Sequence, residues 1–125
     1  MNFNKVILGG ILADDVSLKY LESGMAIGTG IISVSEEKKD KQGNKIQSTS
    51  NFEFTCFGET AIILANNSKK DDRIVIDSKL KQEKWTDKNN KEHVKLKIVA
   101  SQAFSCKAKN EIEDDGINPG GLPFG

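Results

Sequence analysis

The chain has 125 residues, 37% of them hydrophobic, and its 18 basic and 18 acidic side chains cancel to a net charge of zero. That length suits one domain with a core of its own. Balanced charge argues against a global pull toward a polyanion, so any such attraction must come from charge segregated along the chain.

The N-terminus lacks the long apolar stretch of a signal peptide. No apolar run reaches membrane-spanning length. Two cysteines, Cys56 and Cys106, have no Cys-x-x-Cys neighbour, which argues against a zinc or redox motif. A reduced cytoplasmic protein is the expectation, with a Cys56–Cys106 disulfide left open.

Residues 5–12 carry Val6, Ile7 and Leu8 before Gly9-Gly10, which fits a bent strand covered on both sides. A short strand is expected at 17–21, and a long one at 25–35, where Gly28 and Gly30 alternate with Ile27, Thr29 and Ile31. Residues 36–50 are polar, with Gly43-Asn44 as a turn, and predict a two-stranded finger projecting from the core. Residues 51–57 alternate with period two. Phe52, Phe54 and Cys56 share one face; Asn51, Glu53, Thr55 and Phe57 share the other.

Helical spacing of Ala61, Ile62, Leu64 and Ala65 predicts one helix over 58–70. A strand follows at 73–82, with Ile74, Ile76 and Leu80 on one face and Val75, Asp77, Lys79 and Lys81 on the other. The last strand is expected at 92–104, with Val94, Leu96 and Ile98 inward and Lys95 and Lys97 outward. Residues 107–125 hold four acids, four glycines and both prolines, a composition that predicts a disordered acidic tail after a domain of residues 1–106.

The single tryptophan, Trp85, lies within Lys79-Leu80-Lys81-Gln82-Glu83-Lys84-Trp85 and just before a polar turn at 87–91. Residues 79–97 carry seven lysines against three acids. Two readings stand: a core tryptophan among solvated lysines, or a ring on which a nucleic-acid base stacks while lysines meet the phosphates. The order of elements, five long antiparallel strands with a helix after the third, matches an all-β OB-fold barrel.

At this point the residues carry a resemblance. The chain resembles the bacterial single-stranded DNA-binding proteins of the OB-fold type. The resemblance rests on Asn4-Lys5-Val6-Ile7-Leu8-Gly9-Gly10, Leu18-Lys19-Tyr20, Phe57-Gly58-Glu59-Thr60-Ala61, Arg73-Ile74-Val75-Ile76 and Leu80-Lys81-Gln82-Glu83-Lys84-Trp85, in collinear order over residues 4–104. It implies sequence-independent binding of single-stranded DNA in replication, recombination and repair, a homotetramer associated with the nucleoid, no cofactor and no catalysis. Carried over residue by residue, it implies DNA contacts at Trp85, Phe57, Lys84, Lys81, Lys79, Lys38, Lys70 and Phe52.

Departures from the family pattern are specific. Lys38 stands where the family often has an aromatic ring. Strict alternation back from Phe57 puts Asn51 at another ring position, unless a bulge turns Phe52 outward. Glu59 replaces a common lysine. Each missing stack removes roughly 1–3 kcal/mol, so weaker binding than in a typical member is expected. The tail resembles the family's partner-docking tip through Asp114, Asp115, Leu122, Pro123 and Phe124, and implies recruitment of replication and repair proteins. Seven residues separate Asp115 from Pro123, however, and Gly125 follows Phe124.

Competing readings are a protein–protein adaptor acting through the tail or mixed oligomers, and an OB-type RNA binder. His93 is the only histidine and reads as an exposed strand residue without a role. The pairs Asp14-Asp15, Asp71-Asp72 and Asp114-Asp115 are sequential turn or tail neighbours, not opposed acid–base partners. Gly28-Thr29-Gly30 opens no helix, so neither an enzyme nor a metal site is expected.

Overall fold

The structure is a computed structural model and describes residues 1–106. Within them run β1 (Val6–Leu12), β2 (Ser17–Tyr20), β3 (Ala26–Lys39), β4 (Lys45–Phe57), α1 (Gly58–Asn67), β5 (Arg73–Thr86) and β6 (Glu92–Cys106). The sheet order is β1-β5-β6-β4-β3-β2, and a further pairing of β1 with β3 closes five strands into a barrel. This is the expected OB-fold. β2 is a four-residue addition to β3, and the one helix follows the third long strand.

Closure depends on close backbone approach. β1 meets β3 at Ile11↔Ser33 and Leu12↔Ile32. A Cβ on Gly10 would stand 2.1 Å from the Ser33 carbonyl oxygen, so only glycine lets the strands cross there. Gly30 does the same for packing: a Cβ would lie 2.6 Å from Cζ of Phe54, whose ring fills the barrel.

The interior consists of Leu12, Ile32, Phe54, Cys56, Ile74 and Ile76, with Ala61 and Leu64 of α1 packed onto it. Inward alternation on β1, β3, β4 and β5 supplies the six strand residues, as the period-two pattern predicts. The helix ends at Asn67, three residues before the expected boundary. The Ser68 amide and hydroxyl both donate to the Leu64 carbonyl and close the last turn.

Both long hairpins run past the barrel. β3 and β4 pair without a break from Ile27↔Phe57 to Lys39↔Lys45, forming the expected finger. β5 and β6 continue to Thr86↔Glu92. One bulge interrupts them, where Asp77↔Gln102 gives way to Ser78↔Ala100 and Ser101 is left over. It lets Ala103 and Ala100 both face the core despite their odd spacing.

The inward expectation for Leu80, Val94 and Leu96 needs correction. They share the face of Ile98, which packs on the core, yet all three are exposed. Leu80 stands at the last barrel row, opposite Ile98, and Leu96 and Val94 lie beyond it, where the inward-facing side borders an open gap instead of a filled interior.

Residues 107–125 lie outside the described residues. So do the expectations placed on them: a disordered tail, and docking through Asp114, Asp115, Leu122, Pro123 and Phe124.

Candidate nucleic-acid interface

The tip of the β5–β6 hairpin is organised by one carboxylate. Asp87 donates its amide to the Lys91 carbonyl and accepts from the Asn90 amide at its own carbonyl. Its Oδ1 accepts the Asn89 and Lys91 amides at 2.8 and 2.9 Å. Its Oδ2 accepts from Nε2 of His93 at 2.7 Å. These bonds hold the Asp87 carboxyl below its usual range, the His93 contact most strongly and the Lys91 amide next.

The turn fixes the register, and the register puts Trp85 opposite His93. Their rings stack, with centroids 5.2 Å apart and planes 16° from parallel. Trp85 remains 49% exposed. It is therefore a surface ring supported from one side, not a core tryptophan. Sequence reasoning missed His93. Counting pairs outward from the polar turn was the signal that could have found it.

Partners across an antiparallel pair share a face. Lys79↔Val99, Lys81↔Lys97 and Glu83↔Lys95 are therefore on the face of Trp85. The parallel pairing Thr55↔Val99 carries that face onto β4, and Phe57 lies two residues further along it. Phe57 is 41% exposed, beside the cross-strand row Lys19–Ile27. Phe57 and Trp85 thus project from one outer face of the barrel, with Lys79, Lys81, Lys95 and Lys97 between them. At roughly 3.3 Å per residue the two rings are roughly 25 Å apart along the strands.

Other sequence-predicted residues fall elsewhere. Phe52 packs against the core with Phe54 and Cys56; the unbroken β3–β4 register contains no bulge to turn it outward. Asn51 takes the outer position, where its Oδ1 accepts the Ser33 hydroxyl at 2.6 Å. Lys84 pairs with Val94, on the face opposite Trp85. Lys38 pairs with Ile46 near the finger tip, on the inward-parity side. Lys70 lies past the far end of α1, with its amide bonded to Asp15 Oδ1 at 2.7 Å. A ten-residue helix, about 15 Å long, separates it from Phe57.

Where β4 and β6 part, a cleft of about 370 Å³ opens between finger and hairpin. Phe52, Leu80, Leu96 and Ile98 line it, with Lys95, Lys97 and Glu53 among the charged groups. Not every cation there is free: Lys97 Nζ lies 3.4 Å from Glu83 Oε2. Glu59 lies in the first turn of α1, where it complements the helix dipole.

Cys56 and Cys106 are both free, the first buried and the second exposed. Burial pushes the Cys56 thiol up to about 11, so it stays protonated. Among the described residues no group of three or more His, Cys, Asp or Glu side chains is placed to hold a metal ion. Among the described residues no helix is long and apolar enough to cross a membrane.

The solved structures this fold resembles include a deletion mutant of the single-stranded DNA binding protein from Thermus aquaticus. That match has a TM-score of 0.76 at 18% identity, over 86% of this chain and 52% of that one. Another is a Plasmodium falciparum SSB complex with ssDNA, with a TM-score of 0.71 at 18% identity, over 86% and 97% of the two chains. At such identity these matches speak to the fold.

In sequence, the chain is 33% identical over 107 residues to the single-stranded DNA-binding protein of Wolinella succinogenes, covering 86% of this chain and 66% of that one. It is 27% identical over 124 residues to the protein of the same description from Neisseria meningitidis, covering 99% and 68%. The chain thus spans about two thirds of the length of these relatives. The model of the single-strand binding protein family matches residues 3–105, the whole barrel and both hairpins, and the chain belongs to that family.

Proposed function

We propose that this protein binds single-stranded DNA without sequence preference, and so covers and protects it during replication, recombination and repair. The observation that carries the reading is the shared outer face: two exposed rings, Phe57 and Trp85, with Lys79, Lys81, Lys95 and Lys97 between them. Rings stack on bases of any sequence, and lysines follow the backbone. In this reading the protein acts as a binder and not as an enzyme.

The working unit in this reading is a homotetramer in the cytoplasm, on the nucleoid. Its support is the barrel end of the outer face of β1, β5 and β6, where Ile7, Ile11, Val75 and Phe104 are all exposed. Gly9↔Val75 and Val75↔Phe104 place three strands of that surface in one row. Residues 107–125 serve as a docking tail for replication and repair proteins, with acids for attraction and Phe124 as anchor.

The test is affinity for a labelled thymidine oligomer, followed by anisotropy at low salt. Trp85→Ala is expected to weaken binding by roughly 1–3 kcal/mol, and Phe57→Ala by a similar amount. Unchanged affinity in both variants would contradict the reading.

A second reading has its own observation. Asn51 is tied to Ser33, Phe52 is turned inward, and Lys38 lies off the ring-bearing face, which leaves few rings to stack on. In that reading the chain is a weak-affinity paralogue that works through its tail or through mixed oligomers. Wild-type binding far weaker than that of a typical relative at matched salt would favour it.

A further inference from the structure

The side chains of Asp87, His93 and Trp85 form a chain of contacts that the binding surface described above does not require. His93 is the middle member. Its Nε2 is bonded to Asp87 Oδ2 at 2.7 Å, and its ring lies 5.2 Å from the indole at an interplanar angle of 16°. One face of Trp85 is therefore covered by protein, and the other is left for a base.

We propose that His93 is a positioning residue that makes Trp85 a one-sided platform, and that its protonation strengthens single-strand binding as pH falls. This rests on the single-strand-binding reading. Two physical effects act together. A ring pinned by Asp87 fixes the indole before binding, so less side-chain freedom is lost when a base arrives. The ionised carboxylate accepts from Nε2, so that nitrogen carries the hydrogen in the neutral imidazole. A further proton then goes to Nδ1, which gives the platform a second N–H donor and a positive charge beside the phosphate path.

Charged groups face His93 from the turn and from both strands of the hairpin. Asp87 in the turn is in direct contact. Glu83 on β5 is a diagonal neighbour but is engaged by Lys97. On its own strand, Lys95 lies two residues along the same face, with Lys91 and Glu92 at the turn end. His93 is the only histidine in the chain, so a pH response that both His93 variants abolish belongs to that one side chain.

The experiment measures thymidine-oligomer affinity at pH 5.5, 6.5 and 8.0 and constant ionic strength, for the wild-type chain, His93→Phe and His93→Ala. The emission of Trp85 in the free protein is recorded alongside. The wild type should bind about two- to fivefold tighter at the lowest pH than at the highest, the worth of one exposed ionic contact. Its free-state emission should change over the same interval. His93→Phe keeps a stacked ring but loses the bond to Asp87, and should bind between the wild type and His93→Ala at pH 8.0, with a flat profile in affinity and emission. His93→Ala should bind more weakly at every pH.

Wild-type binding with the same affinity and pH profile in both variants overturns this proposal and leaves the reading of function intact. A wild type that fails to bind at any pH overturns the reading of function and this proposal with it.

Discussion

Asp87 concentrates three bonds on one side chain, and its ionisation controls them together. The two amides at Oδ1 and the imidazole at Oδ2 all favour the carboxylate over the acid. Its folded-state pKa is therefore lowered from the ordinary value. A depressed carboxyl stabilises above its unfolded pKa, and the contribution is lost as pH falls through the folded value. The tip should thus stay ordered across neutral and mildly acidic pH and loosen only below the ordinary carboxylate range. Amide exchange at Asn89 and Lys91 measures this: protection should persist at pH 5, and Asp87→Ala should abolish it. Full protection of both amides in Asp87→Ala would show that the carboxylate does not organise the turn.

A residue-scale test of the barrel lies at Gly30. A methyl group there would enter the Phe54 ring. Gly30→Ala should cost roughly 1–3 kcal/mol of stability, the usual penalty for overpacking, seen as a lower urea midpoint. This site was legible only in part. Alternation put Phe54 inside and glycine in the facing strand, but the contact between them needed the register.

At the scale of elements, the two hairpins share a tip design. Asp40 repeats the Asp87 pattern: its Oδ1 accepts the Gln42 and Asn44 amides, and its own amide donates to the Asn44 carbonyl. Gly43 and Asn90 occupy the left-handed position at φ 84° and 63°. Asparagine tolerates that conformation, whereas a β-branched residue costs about 1–2 kcal/mol there. Asn90→Val should therefore loosen the β5–β6 tip, blur the Trp85–His93 stack and weaken DNA binding, while the urea midpoint of the barrel stays unchanged. A lost near-ultraviolet dichroism band from Trp85 would report it. The correspondence also places Lys38 and Ile46 in the finger where Trp85 and His93 stand in the other hairpin, each pair flanking its aspartate by the same spacing.

Strand existence and parity were readable because the core demands period-two alternation. The ends of elements were not. Leu80, Val94 and Leu96 carry an inward pattern into a hairpin that has no interior, because sequence alternation does not say where the barrel stops. The helix end at Ser68 depended on a side-chain bond to Leu64, a local competition that apolar spacing does not register. The Ser101 bulge reconciles Ala100 with Ala103, and a strict period has no place for it.

At the scale of the molecule, neutral net charge is compatible with a polyanion partner because four lysines, Lys79, Lys81, Lys95 and Lys97, are gathered on one face. If Lys79, Lys81, Lys95 and Lys97 each meet a phosphate, removing one should lower the salt dependence by about 0.7 log unit per tenfold salt. The apolar row on β1, β5 and β6 makes a separate prediction. If that row forms the proposed interface, Val75→Glu should give smaller species by sedimentation, with the monomer still folded, since Val75 faces outward. If residues 107–125 dock partners as proposed, deleting them should leave thymidine-oligomer affinity in place and abolish capture of replication and repair proteins.

The family assignment, the OB barrel and the outward turn of Phe57 were all readable from the chain. The support beneath Trp85 was not, since it joins a turn, a strand and a lone histidine that only the pairing brings together. The most direct test of the account is the intrinsic emission of Trp85, the only tryptophan, during titration with a thymidine oligomer at low salt. A stacked base should quench it strongly and saturably, with affinity falling as salt rises. Saturable binding of the oligomer with no change in that emission would contradict Trp85 as the stacking platform.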